Sequence, residues 1–119
     1  MDVKEELIKQ RLLNTKRTNE EIKANIEKSL LFEENNDLCK KEEAISILQD
    51  CTRCIKTITR LCNTAINETE KSFPNYDVVL VYVDEMEFYF NNELKGLVES
   101  YNLLKKKRSL ISIFKKNKA

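Results

Sequence analysis

Histidine is absent from the whole chain, and so is tryptophan. The first absence removes the usual general base, the usual catalytic triad and most zinc and haem ligand sets. Glycine and proline occur once each, as Gly96 and Pro74. A many-stranded sandwich or barrel needs far more turn formers than that, and no glycine-rich phosphate loop can be built. Long apolar runs are missing too: nothing approaches the roughly 20 residues of a membrane-crossing helix, and the charged start MDVKEELIKQ does not read as a signal peptide. No internal repeat is present, and the lysine-rich C-terminus is the one segment of biased composition.

What remains is a chain of 119 residues that is 34% charged and 41% apolar, the balance of long solvated helices and outside the disordered range. The length fits one domain with a modest core. Leu48, Cys51, Ile55, Ile58, Cys62 and Ala65 follow one another at steps of three and four residues. That is the a/d rhythm of a helix with a single apolar seam. No glycine or proline interrupts residues 40–71, which as one helix would run about 45 Å at 1.5 Å per residue. A helix of that length needs other helices lying along it.

Upstream, Asp2-Val3-Lys4-Glu5 and Thr18-Asn19-Glu20-Glu21 both read as capping boxes, a side-chain oxygen followed three residues on by glutamate. Two N-terminal helices are therefore expected, with a break or bend near Asn14-Thr15. The first carries Val3, Leu7, Ile8 and Leu12, and the second Ile22, Ile26 and Leu30. Asn36 or Asp37 is placed to cap the seam helix, and Asp77 to cap the segment after Pro74.

Residues 78–90 carry two conflicting signals. VVLVYV and the alternation of Met86, Phe88 and Phe90 with charged or polar neighbours are strand-like, with Asn91-Asn92 as a tight turn. Against this, Val79, Val83, Met86, Phe90, Leu94, Leu97, Tyr101 and Leu104 form a second helical seam. Two strands alone make a marginal sheet and the chain offers no third, so the helix is favoured over a small hairpin at about 78–91. The expected architecture is an elongated all-α bundle of coiled-coil-like antiparallel helices over residues 1–108. Residues 109–119 are expected to form a basic, mobile tail.

Candidate chemistry is thin. Cys51 and Cys54 form a C-x-x-C, but well inside a helix, away from the N-terminus that would lower a thiol pKa. Cys39 and Cys62 complete four thiols without the knuckle spacing of a structural zinc site. The better reading is that Cys51 and Cys62 are small apolar seam residues in a reducing compartment. Asp77, Asp84, Glu85, Glu87, Glu93 and Glu99 match no calcium loop, and on a helix they form a solvated face. No catalytic residue, metal ligand or cofactor is expected, and no small-molecule substrate is indicated.

Two surfaces carry the functional expectation. With two seams in one small chain, self-association as a dimer or pairing with a helical partner is expected through Leu48, Cys51, Ile55, Ile58, Cys62, Val83, Met86, Phe90 and Leu97. The protein is then a non-catalytic assembly or adaptor protein of the cytoplasm. The second surface is the tail. Net charge is +1, yet Lys105, Lys106, Lys107, Arg108, Lys115, Lys116 and Lys118 crowd the last fifteen residues, which contain no acid. Such a segment suits nucleic acid, and its enclosed Leu110, Ile111, Ile113 and Phe114 suit an anionic membrane surface. Lys105 to Arg108 also resembles a nuclear-import address.

Overall fold

The computed structural model describes residues 2–117, with side chains placed through residue 113. All of the regular structure among these residues is helical. Helix α1 spans Val3–Asn35, α2 Lys41–Thr69, α3 Tyr76–Phe88 and α4 Lys95–Asn117, with one π-helical segment, Tyr89–Leu94, joining α3 to α4. The α3–π–α4 run is continuous, so three long rods make a body of 69 × 22 × 16 Å. An elongated all-α bundle is the fold, and residues 78–90 are helix rather than hairpin.

The central element is α2, which packs against α1, α3, the π-segment and α4. Its seam is fully sequestered: Ala44, Leu48, Cys51, Ile55, Ile58, Cys62 and Ala65 are all buried, joined by Cys54. From the other rods come Ile8, Leu12 and Ile26 of α1 and Val79, Val83, Met86, Leu94, Tyr101 and Leu104 of the C-terminal rod. Removing a Leu, Ile, Val or Met side chain from water contributes about 1.5–3 kcal/mol, so this shared core is what holds the rods parallel to one another.

Several helix ends depart from the sequence expectation. The expected break at Asn14-Thr15 is absent, and α1 is one rod of 33 residues. The hydroxyls of Thr15 and Thr18 donate to the carbonyls of Arg11 and Asn14, four residues back, which uses them inside the helix instead of as caps. Asp2 does cap α1, accepting from the Lys4 amide. The residue that precedes α2, Lys40, sits in the left-handed region (φ 58°) as its N-cap, with no side-chain cap from Asn36 or Asp37. The cap of α3 is Asn75, not Asp77: its side-chain oxygen accepts from the amides of Asp77 and Val78.

At the far end, α4 runs without interruption through residue 108 to Asn117, so the helix extends into the segment expected as a separate tail.

Candidate functional site

The seam residues expected to meet a second chain are occupied within one. Leu48, Cys51, Ile55, Ile58, Cys62, Val83 and Met86 are buried between the rods, and Leu97 packs partly buried against them. One chain suffices to cover both seams because its third rod, α1, lies along the other two. Phe90 and Leu97, both partly exposed, border open clefts, and Ile55 lies at the base of another. The thiols follow the same logic. Cys51, Cys54 and Cys62 are buried while Cys39 is exposed. Burial pushes the Cys51 thiol up to about 11, with Cys54 beside it adding to the shift, and burial raises Cys54 and Cys62 as well.

Two polar clusters tie the rods together, and spacing in the sequence did not disclose either. In the N-terminal third of both rods, Arg11 of α1 reaches α3, with Nη2 2.9 Å from Asp84 Oδ1 and 2.7 Å from Glu87 Oε2, and Nε donating to Glu87 Oε1. At the α1–α2 loop, Arg108 grips Glu33 with two parallel bonds of 2.7 and 2.8 Å, and its Nε donates to the Cys39 carbonyl at 2.7 Å. Tyr101 donates its hydroxyl to the same carboxylate at 2.9 Å. Glu33 is completely buried and the Arg108 side chain only 10% exposed. Arg108 therefore leaves the set of cations expected to bind a polyanion; its charge is neutralised inside the fold.

Of the remaining expected cations, Lys105 lies 5.0 Å from the Tyr101 ring centroid, and Lys106 and Lys107 are exposed on α4. The side chains of Lys115 and Lys116, and all of Lys118, lie outside the described residues.

A groove opens between α1 and the π–α4 rod. These two rods make no close backbone approach, although each packs on α2. The groove holds about 550 Å³ and has Ile22, Ile26, Phe90, Leu94 and Val98 on its walls. Asn14 to Ile26 border it on α1, about 18 Å of helix. The π-segment shapes the opposite wall. There the Lys95 amide bonds to the Phe90 carbonyl five residues back, and the Asn92 side chain donates to the Phe88 carbonyl. Such wide turns frequently mark functional surfaces. An apolar ridge also lies exposed on α3, made by Val78, Val81 and Phe88, the latter two 60% and 59% exposed.

The chain matches no protein-family model, no curated protein and no solved structure. Among the described residues there is no cluster of histidine, cysteine or carboxylate side chains arranged to hold a metal ion. No helix among them is long and apolar enough to cross a membrane.

Proposed function

We propose that this protein is a non-catalytic assembly module that pairs with a second copy of itself by seating the α3 ridge of each chain in the α1–α4 groove of the other. The observation that carries the reading is the groove: an apolar channel about three helical turns long, left open between two rods that share a third. Helix-in-groove recognition uses just such a channel, read by apolar anchors at helical spacing. The chain also owns a matching helix, since Val78, Val81 and Phe88 form an exposed ridge on α3 that the intramolecular core does not use. A surface with both parts can close as a two-fold dimer, with each contact made twice.

The test is light scattering coupled to size exclusion over a dilution series. The wild-type chain is expected at dimer mass, and a monomer at every concentration overturns the proposal. Phe88→Glu on the ridge and Val98→Glu in the groove should each give a monomer with unchanged helical circular dichroism. Mixing the two variants leaves one intact ridge–groove contact, so partial recovery of dimer is expected. A mixture that stays monomeric while the wild type dimerises would place the interface elsewhere.

A further inference from the structure

The C-terminal end of α4 has a design that neither the core nor the proposed dimer uses. Leu104 is the last buried residue of the rod among those whose side chains are described, and Arg108 is fastened to Glu33 and to the loop carbonyl of Cys39. The helix nevertheless continues to Asn117, nine residues or about 13 Å further. No described residue past Arg108 is buried.

The overhang is two-faced. At about 100° per residue, Leu103 and Leu110 fall in line and Ile113 lies within about 80° of them. Leu103, Leu110 and Ile113 are 53%, 57% and 55% exposed. Ser112 falls on the other side of the wheel, and Ser109 lies at the edge of the face beside Ile113. Lys107 borders this face on one flank, and Lys106 falls between the directions of Leu110 and Ile113, one turn nearer the body. No acid follows Glu99 in the sequence, whereas Lys115, Lys116 and Lys118 still lie ahead.

We propose that this overhang is a docking surface for an anionic lipid membrane, lying in the interface with Leu103, Leu110 and Ile113 inserted and the lysines at headgroup level. A second copy is disfavoured as the occupant, because apposing two such ends brings lysine against lysine. Nucleic acid would engage the cations but has no use for aliphatic side chains interleaved with them. An anionic bilayer satisfies both sets at once. Its surface potential attracts each nearby lysine and its acyl boundary accepts the apolar face. The long stems of Lys106 and Lys107 can lie along the apolar surface while their ammonium groups stay wet. The inference is independent of the dimer, although two overhangs on one particle would strengthen attachment by avidity.

The experiment is co-sedimentation of the full chain with phosphatidylcholine vesicles, with and without phosphatidylserine, set beside anisotropy titration of a short DNA duplex. Binding to the serine-containing vesicles alone is expected, weakening as salt is raised. Lys106→Gln/Lys107→Gln should weaken it roughly thirtyfold. Leu110→Ser/Ile113→Ser should abolish sedimentation; both side chains lie past the last buried residue, so the helical dichroism and unfolding midpoint should not move. Equal binding to both vesicle types overturns the electrostatic half, and no binding to either overturns the whole. If Leu110→Ser/Ile113→Ser binds vesicles as the wild type does, or if the duplex is bound more tightly than the vesicles, the surface is a general polyanion clamp and the membrane assignment fails.

Discussion

Glu33 and Arg108 meet through two parallel hydrogen bonds across 75 positions of sequence, with the carboxylate wholly inside the protein. They fix the register of α1 against α4 through a buried ion pair. Desolvating two ions is expensive, and their attraction offsets that cost only when the remaining donors and acceptors are met. Here Tyr101 and the Cys39 carbonyl meet them. Breaking the pair from one side strands a buried charge. Glu33→Leu is therefore expected to cost about 3–5 kcal/mol in urea unfolding, and Glu33→Leu/Arg108→Met markedly less than that. The same logic places the shortest stable chain: truncation after Ser109 should keep the midpoint, and truncation after Lys107 should lower it sharply.

The pH dependence follows from the same contact. The Arg108 guanidinium holds the Glu33 carboxyl below its ordinary range, against the opposing effect of burial, and the Tyr101 hydroxyl adds to the lowering. A carboxyl depressed in the folded state stabilises above its unfolded pKa of about 4.3 and loses that contribution as pH falls through the folded value. Wild type should thus exceed Glu33→Leu most clearly near neutrality. The gap should shrink below about pH 4 as the carboxylate protonates, as unfolding titrations of the two proteins would show.

The thiols predict the opposite slope at the alkaline end. Cys51 is raised to about 11 by burial and by Cys54 beside it. An acid raised on folding stabilises fully below its unfolded value, near 8.5, and the contribution is lost as pH climbs through the folded one. At neutral pH the three buried thiols stay protonated and shielded, so iodoacetamide should label Cys39 alone in the native protein. Mass spectrometry should find one adduct before denaturation and four after. Fast labelling of Cys51 or Cys54 in the folded chain would contradict the burial.

The seam of α2 and the helical character of residues 78–90 were legible because apolar spacing reports directly which face is buried. What spacing does not report is which chain supplies the burying surface. Leu48, Ile58 and Val83 announce a partner without saying that the partner is α1 of the same molecule. The π-turn illustrates a second limit. Met86, Phe90 and Leu94 are separated by two successive steps of four, which a wider turn brings into line, but Ile22, Ile26 and Leu30 have the same steps in a regular α-helix. Long-range polar pairs are harder still. Nothing near Glu33 in the sequence distinguishes it from Glu34, and Arg108 looks like one more cation in a basic run. The candidate groove is an absence of contact between two rods, and a pattern along one rod carries no trace of it.

Asn19 offers a test of how completely the core is satisfied. The residue is buried, and its amide nitrogen donates to Thr59 Oγ1 at 2.9 Å, but its Oδ1 has no hydrogen-bond partner. A buried acceptor left unpaired costs about 1–3 kcal/mol, which exceeds the net contribution of the single amide bond of about 1 kcal/mol. Thr59 does not depend on Asn19, since its hydroxyl donates to the Ile55 carbonyl at 2.9 Å. Asn19→Leu removes the unpaired oxygen and extends the apolar seam that passes from Leu12 to Ile26. The variant should therefore be more stable by about 1 kcal/mol, read as a higher urea midpoint at unchanged slope. A loss of stability instead would mean that the Asn19–Thr59 bond outweighs the stranded acceptor.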